Sequence, residues 1–341
     1  MGQTIAAGKL KRLGRFDPEN PGRLGWAMSG VELMVRCTEM SVEIDCDYAD
    51  QCPWMGVLVD DAPVARFALR RGRHRYVALA GLDDGTARRI AIVRDTQPIP
   101  GDERMRVEIV QVSFEGERLA DEPRRLHMEF AGDSLTSGEG TVGAVGEEQW
   151  RSPFMSAMNT YAQILCAAFG AQGSWISQSG WGVCRSWDGQ ESCRIPAVYE
   201  QVCANDPAGG KAHDFASHPA DVVIVNLGTN DSTPMAALKG VARRAYREQF
   251  LKGAEDFLRQ IRARHSGAQI LWCYGMCEKQ LQREIAAAVE HRRADGDERV
   301  HFLLLPACRE KEIGARMHPG VNYHRRAAEL IAEKLREIGI E

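Results

Sequence analysis

The stretch that decides the fold is a largely apolar run that ends in small and polar residues: Leu126-His127-Met128-Glu129-Phe130-Ala131-Gly132-Asp133-Ser134-Leu135-Thr136-Ser137-Gly138. Its first six residues predict a buried strand, and Gly132 permits a tight turn where that strand ends. In an open parallel sheet, the working residues collect where strands end and loops begin. Ser134 is therefore predicted to be exposed, with a hydroxyl that a base could polarise. Asp133 and Ser134 could equally cap a helix, as these residue types often do.

Downstream of this stretch, short apolar runs alternate with longer segments of helical period. This alternation is typical of a parallel sheet with helices on both faces, so residues 123–341 are predicted to form a three-layer α/β/α domain. The strand candidates are Leu126–Ala131, Ser174–Ser177, Val222–Leu227, Ile270–Tyr274 and Val300–Leu305. The helix candidates are residues 151–169, 242–265, 279–292 and 320–338.

Upstream of the same stretch, apolar and polar residues alternate with a period of two. Val42, Ile44 and Cys46 alternate with Glu43 and Asp45, which predicts a strand with one buried and one wet face. Similar runs occur at Val31–Arg36, Met55–Val59, Arg75–Leu79, Arg89–Arg94 and Met105–Phe114. Short strands at this spacing predict an antiparallel, jelly-roll-like β-sandwich over residues 1–122, with its boundary near Asp121-Glu122-Pro123.

Three further loops of the second domain carry residues suited to catalysis. In Ser177-Gln178-Ser179-Gly180-Trp181-Gly182, the backbone N–H of Gly180 could approach a developing negative charge. In Gly228-Thr229-Asn230-Asp231, the side-chain amide of Asn230 could donate to the same charge. Met317-His318-Pro319-Gly320 places a histidine at the start of the last helix. Each loop alone also fits a turn or a helix cap, and a lone histidine is usually structural.

Together, four motifs resemble the characteristic blocks of the SGNH/GDSL hydrolase superfamily in their order and separation: GDSLTSG (132–138), SGWG (179–182), GTND (228–231) and HPG (318–320). The resemblance implies that Ser134 is a nucleophile and that His318 is its general base. It also implies an oxyanion hole made by the backbone N–H groups of Ser134 and Gly180 and the amide of Asn230, with Asp133 in a supporting role. No metal and no cofactor is required.

The β domain in front narrows the resemblance to the second carbohydrate esterase family, the two-domain acetylxylan esterases. This likeness covers nearly the whole chain, and for the β domain it rests on pattern and placement. It implies a serine esterase that removes short acyl groups, mainly acetyl, from carbohydrate esters such as acetylated xylo-oligosaccharides. Trp181 and Trp187 could stack against a sugar ring, although core packing explains each equally well. A lipase or thioesterase of the same superfamily and a non-catalytic carbohydrate-binding protein are the alternatives.

One departure from the superfamily pattern concerns the group that orients His318. Many members place an aspartate three residues before this histidine, where the present chain has Ala315. The resemblance implies a Ser-His dyad in which the backbone carbonyl of Arg316 holds the imidazole. A carboxylate from elsewhere, Glu310 or Glu312, could serve instead.

Composition and charge exclude several classes of function. The formal charge of -4 arises from 43 basic and 47 acidic residues spread along the chain, which leaves no footprint for nucleic acid or an anionic membrane. No apolar run approaches the roughly 20 residues that span a bilayer, and Met1–Gly8 lacks a signal-peptide core, so a cytoplasmic location is expected. The ten cysteines lack paired zinc-site spacings and are predicted to be free thiols. The expected partner is a small-molecule or oligosaccharide ester, and no oligomeric state is predicted.

Overall fold

The N-terminal part of the molecule is an antiparallel β domain. The computed structural model describes residues 2–83, 85–203 and 210–341. Met1 lies outside these ranges, and both the predicted β domain and the predicted non-signal segment Met1–Gly8 begin there. The strands of the β domain within these ranges are β1 (Gly2–Ala6), β2 (Lys11–Leu13), β3 (Gly30–Asp47), β4 (Trp54–Val59), β5 (Ala62–Ala68), β6 (Gly72–Ala80), β7 (Arg88–Arg94) and β8 (Arg106–Arg118).

Strand β3 organises this domain because it pairs with β2, β6, β7 and β8. Its first part, Gly30–Val35, pairs with β7, and its second part, Glu39–Cys46, pairs with β6. Buried side chains from both parts share one apolar core, so the sheet folds over onto itself. The prediction of an antiparallel β domain is confirmed. The runs Val31–Arg36 and Val42–Cys46 belong to one strand, however, because an irregular register between Cys37 and Ser41 interrupts the period of two without ending the pairing.

The C-terminal part contains a parallel sheet with the spatial order β10-β9-β11-β12-β13. Its strands are β9 (His127–Gly132), β10 (Gln172–Ser177), β11 (Val222–Asn226), β12 (Gln269–Tyr274) and β13 (Val300–Leu304). All five predicted strands are therefore present, with bounds that differ by a residue or two. Strand β9 lies between β10 and β11, which places the loops after these three strands side by side.

Helices cover both faces of this sheet. They are α1 (Ser134–Ser137), α2 (Tyr161–Phe169), α3 (Ile195–Val198), α4 (Thr229–Ala236), α5 (Gly240–Arg264), α6 (Gln282–Ala294) and α7 (Val321–Glu337). Tyr161 of α2 and Ile331 of α7 share one apolar core, whereas Phe257 of α5 and Val289 of α6 share another. The predicted three-layer architecture is thus confirmed. Among the described helices, none combines the length and the apolar surface that crossing a bilayer requires.

The helix predicted over residues 151–169 is wrong in its first half, since α2 begins only at Tyr161. The preceding residues form short 3₁₀ turns instead, and Asp95 of the β domain explains why. The buried carboxylate of Asp95 accepts hydrogen bonds from the Ser156 hydroxyl at 3.0 Å and from the Met158 backbone N–H at 2.9 Å. These contacts satisfy backbone and side-chain donors that a continuous helix would have used differently.

The two parts of the chain pack against each other through apolar contacts and a buried ion pair. Leu58 and Val93 of the β domain lie in the same core as Phe130 of β9. Arg15 donates to the carboxylate of Glu129 at 2.8 Å, with both side chains essentially inaccessible. The β domain therefore packs directly against β9, the strand that leads into the first motif. The predicted boundary at residues 122 and 123 lies in the segment between β8 and β9.

Candidate active site

Three of the four motif-bearing loops begin in one row at the carboxyl edge of the parallel sheet. Gly132, the last residue of β9, is in register with Ser177 at the end of β10 and with Asn226 at the end of β11. Because parallel strands end at the same edge, the loops that follow them must emerge next to one another. The register therefore brings the first, second and third motifs together.

The first loop makes a sharp turn that presents Ser134 at the start of α1. A Cβ atom at Gly132 would lie 2.6 Å from the Cβ of Thr136, so only glycine fits. Asp133 caps α1, because its carboxylate accepts the backbone N–H of Leu135 at 3.0 Å. Asp133 therefore caps the helix, and Ser134 faces a histidine. The prediction that Ser134 is exposed is wrong, because the histidine and the neighbouring loops cover it and leave it 6% exposed.

That histidine is His318. Its Nε2 lies 2.9 Å from the Ser134 hydroxyl oxygen, and its Nδ1 lies 2.9 Å from the backbone carbonyl oxygen of Arg316. A carbonyl only accepts hydrogen bonds, so Nδ1 must carry the ring hydrogen and Nε2 is left to accept from the serine hydroxyl. The structure thus places serine, imidazole and carbonyl in one hydrogen-bonded chain.

Neither carboxylate considered as an alternative orienting group bonds to His318. Glu312 accepts from the guanidinium of Arg326 at 2.7 Å and from the backbone N–H of Arg309 at 2.9 Å. Glu310 lies in the short 3₁₀ turn that precedes this ion pair and, in the described part of the chain, makes no contact with the imidazole. The expectation that one of them could serve is therefore wrong: Glu312 is paired with Arg326 of α7, and Glu310 has no bond to the imidazole.

The segment that carries His318 adopts an unusual backbone. Arg316 and Met317 both have left-handed φ values, 53° and 57°, which is uncommon for residues with a side chain. This segment, residues 313–319, closes on itself through a hydrogen bond from the Gly314 N–H to the His318 carbonyl at 2.7 Å. It also packs closely on Gly140, where a Cβ atom would lie 2.9 Å from that of His318. We refer to residues 313–319 as the histidine strap.

Two backbone N–H groups near Ser134 are available to a ligand. Within residues 2–83, 85–203 and 210–341, the N–H groups of Ser134 and Gly180 donate to no protein acceptor. Gly180 has φ of +80°, and a Cβ atom there would lie 2.7 Å from Trp187. A glycine at this position thus avoids both backbone strain and a steric clash, while leaving the N–H free.

The side chain of Asn230 belongs to the same cluster but already has partners. Its amide nitrogen donates to the carboxylate of Asp133 at 3.2 Å and to the backbone carbonyl of Trp181 at 2.9 Å. Asn230 therefore joins the first loop to the second. For its amide to reach an oxyanion as well, one N–H must be shared with the ligand or exchanged for it.

Asp133 lies beside these groups in an environment that disfavours its charge. Complete burial raises the pKa of Asp133 to about 7, and the nearby carboxylates of Asp231 and Glu139 add to the effect, whereas the N–H of Leu135 opposes it. Near neutral pH this carboxyl group is therefore divided between its charged and neutral forms.

Asp231 is the site residue to which the sequence reasoning gave no function. Its buried carboxylate accepts three backbone N–H groups in succession, from Val183 and Cys184 at 2.8 Å and from Arg185 at 3.0 Å. Burial raises the pKa of Asp231 to about 6 although these three donors oppose the change. Asp231 thus fixes the loop that carries Gly180. The only sequence signal was its place as the last residue of the GTND motif.

The two tryptophans of the second loop differ in their surroundings. Trp181 is partly buried against the apolar core beneath α5, and its carbonyl accepts from Asn230. Trp187 is 60% exposed and its backbone N–H donates to the Gly180 carbonyl at 2.9 Å. Of the two, Trp187 is the one that presents a ring to solvent next to the cluster.

Comparison with known proteins finds relatives that share both parts of the chain. The solved structure of the acetyl xylan esterase Est2A from the rumen bacterium Butyrivibrio proteoclasticus superposes with a TM-score of 0.93 at 28% identity, covering 99% of this chain and 98% of that one. The cellulase/esterase CelE of Acetivibrio thermocellus is 25% identical over 337 residues, which is 95% of this chain and 39% of that protein. The acetylxylan esterase / glucomannan deacetylase of Cellvibrio japonicus is 23% identical over 277 residues, 80% of this chain and 73% of that protein.

This chain thus spans about two fifths of the length of the cellulase/esterase. Family comparison divides it in the same place as the fold does. Residues 12–123 match the carbohydrate esterase 2 N-terminal domain, and residues 130–336, more than half of the chain, match the GDSL-like Lipase/Acylhydrolase family. With these matches and the Ser134–His318 geometry, the chain belongs to the GDSL-like lipase/acylhydrolase family and carries the N-terminal domain of carbohydrate esterase family 2.

Proposed function

We propose that this protein is a serine esterase that removes short acyl groups, chiefly acetyl, from carbohydrate esters such as acetylated xylo-oligosaccharides. The observation that carries the proposal is the hydrogen-bonded chain from the Ser134 hydroxyl through His318 to the Arg316 carbonyl, each link 2.9 Å long. A serine in this arrangement is activated by its neighbouring base.

The geometry supports a two-step acyl transfer. The Ser134 oxygen attacks the ester carbonyl carbon while His318 Nε2 takes the hydroxyl proton, and the carbonyl oxygen becomes negatively charged. His318 then returns the proton to the departing sugar oxygen, which leaves an acetyl group on Ser134. A water molecule, deprotonated by the same nitrogen, releases acetate and restores the serine.

Stabilisation of the tetrahedral intermediate falls to the N–H groups at the ends of β9 and β10. The N–H groups of Ser134 and Gly180, which have no acceptor among the described residues, provide two donors. The amide of Asn230 provides a third once it releases one of its present acceptors. Donors that are already fixed in place stabilise the developing charge without reorganisation. Asp231 holds the Gly180 loop in this position.

Two observations support a carbohydrate as the alcohol part of the ester. Relatives of this chain are named as acetylxylan esterases, and one as a glucomannan deacetylase. The exposed ring of Trp187 lies next to the Gly180 loop, where an aromatic face can cover a sugar ring. The ligand proposed for this site is accordingly an acetylated oligosaccharide.

The first test compares hydrolysis of 4-nitrophenyl acetate, butyrate and octanoate by the wild type and by Ser134→Ala. We expect acetate to be the preferred substrate and the variant to be inactive. Release of acetate from acetylated xylo-oligosaccharides should then follow the same pattern. Preference for octanoate would favour a lipase or thioesterase, and absence of all ester hydrolysis together with glycan binding would favour the carbohydrate-binding alternative.

A further inference from the structure

A buried carboxylate that no sequence motif singled out lies between the nucleophile loop and the histidine strap. Glu139 is 5% exposed, and its backbone N–H donates to the Ser134 carbonyl at 3.0 Å. One oxygen of its side chain lies 2.7 Å from the guanidinium Nε of Arg316 and 3.9 Å from the Nε2 of His318. Glu139 thus contacts both partners of the dyad and the residue that orients the imidazole.

The position of Arg316 determines the orientation of the His318 ring. Its carbonyl is the acceptor for His318 Nδ1, yet its backbone is left-handed and is followed by a second left-handed residue, Met317. Residues with side chains keep this conformation only where their surroundings enforce it.

Three hydrogen bonds hold Arg316 in this left-handed conformation. The Arg316 N–H donates to the Glu147 carbonyl at 2.7 Å, its guanidinium donates to the Glu148 carbonyl at 3.1 Å, and its Nε donates to Glu139. Glu147 and Glu148 accept through their backbone carbonyls, whereas Glu139 accepts through a buried side-chain carboxylate.

We propose that Glu139 is a positioning residue that replaces, by another route, the triad acid missing at Ala315. It clamps Arg316 so that the carbonyl of that residue points at His318 Nδ1, and it provides a negative charge near Nε2 when His318 holds the serine proton. In the described part of the chain, no other carboxylate oxygen lies within 4.0 Å of the His318 nitrogens. This inference rests on the proposed esterase function.

The route differs from that of an ordinary triad. There the acid touches Nδ1 directly and fixes both the orientation and the charge of the ring. Here a neutral carbonyl fixes the orientation, and the charge comes from Glu139 on the other side of the ring. A neutral acceptor at Nδ1 stabilises an imidazolium less than a carboxylate does. The negative charge of Glu139 adds to that stabilisation.

The test uses Glu139→Gln and Arg316→Met, each kept at similar side-chain volume, with Glu312→Gln as a matched control. Glu312 is the carboxylate that immediately precedes the histidine strap, and it pairs with Arg326 instead of Arg316. We measure kcat and KM for 4-nitrophenyl acetate, the rate at which a fluorophosphonate probe modifies Ser134, and the melting temperature.

We expect Glu139→Gln and Arg316→Met each to lower kcat by about 10- to 100-fold, to slow probe modification in proportion and to leave KM within about twofold; tenfold corresponds to about 1.4 kcal/mol. The double variant should be no slower than the slower single variant, because both changes break one clamp. Glu312→Gln should keep the wild-type kcat. Glu139→Asp should be faster than Glu139→Gln because it keeps the negative charge.

A lower melting temperature with unchanged kcat and probe rate in Glu139→Gln would overturn the inference, since Glu139 would then only stabilise the loop. If Glu139→Gln does not fold, Arg316→Met tests the clamp from its other end by the same criteria. A wild type that neither hydrolyses the ester nor reacts with the probe would instead refute the proposed function. The two failures are therefore distinguishable.

Discussion

Replacing Asn230 by alanine tests the oxyanion hole and the bridge between the two loops at once. If the amide donates to the oxyanion, its loss should lower kcat by about 10²- to 10³-fold, or roughly 2.7–4 kcal/mol. The resting structure predicts a second effect, because the amide also donates to Asp133 and to the Trp181 carbonyl. A hydrogen bond to a neutral carbonyl contributes about 0.5–1.5 kcal/mol, and one to a charged group about 1.5–3 kcal/mol. Above pH 7, where Asp133 is mostly charged, we therefore expect Asn230→Ala to lose about 2–4.5 kcal/mol of the free energy of unfolding.

The two effects can be measured separately. Urea unfolding gives the change in stability, and titration of active sites with a phosphonate probe allows kcat to be expressed per folded molecule. KM for 4-nitrophenyl acetate should change little, because the donor acts mainly on the transition state. A kcat within tenfold of the wild type, with the expected loss of stability, would show that Asn230 only braces the loops and would refute its assignment to the oxyanion hole.

Gly132, Asp133 and Trp187 each affect a different property of the site. Gly132→Ala should destabilise the protein by about 2–4 kcal/mol and reduce its activity, because the new Cβ displaces Thr136 and breaks its 2.8 Å hydrogen bond to Tyr161. Urea unfolding measures the first effect and ester hydrolysis the second. For Asp133, the folded pKa of about 7 exceeds the ordinary value of 3.8, so its stabilising contribution is complete below about pH 4 and is lost as the pH rises through 7. The stability of Asp133→Asn relative to the wild type should therefore rise by about 4 kcal/mol between pH 4 and pH 8 in urea titrations, and a pH-independent difference would contradict this. Trp187→Ala should raise KM for an acetylated oligosaccharide and leave KM for 4-nitrophenyl acetate unchanged; equal effects on both would exclude stacking on the sugar.

The motif residues could be predicted because each carries its chemistry in its own side chain or backbone, and because the first three motifs follow strands while His318 precedes the last helix. Parallel pairing then brings the first three motifs together without further information, as the register of Gly132 with Ser177 and Asn226 shows. Asp231 and Glu139 could not be found in this way. Their partners are backbone groups of another loop and a guanidinium 177 residues away, and such contacts leave no local pattern.

The elements of the fold, too, were predicted where a local sequence pattern marks them and missed where distant contacts decide them. Buried strands such as β9 and β11 were predicted because apolar residues fill them, whereas β5 was missed. Strand β5 lies at the edge of its sheet and is half exposed along its length, so no period of two marks it, and Pro63 near its start reads as a turn. The helix start at Tyr161 was misplaced because a carboxylate from the other domain, Asp95, decides it.

The carbonyl of Arg316 has a consequence for how this protein can change over generations. A side-chain acid can be deleted by a single codon change, but a peptide oxygen is present whatever residue is encoded, so no substitution at position 316 removes the acceptor for the imidazole. The acceptor is displaced instead by changes that alter the path of the main chain. Examples are an insertion in the histidine strap and the substitution Met317→Pro, because proline cannot adopt the φ of 57° found at Met317. A search pattern that demands an acid three residues before the histidine would overlook chains of this kind, even where the imidazole is held as firmly.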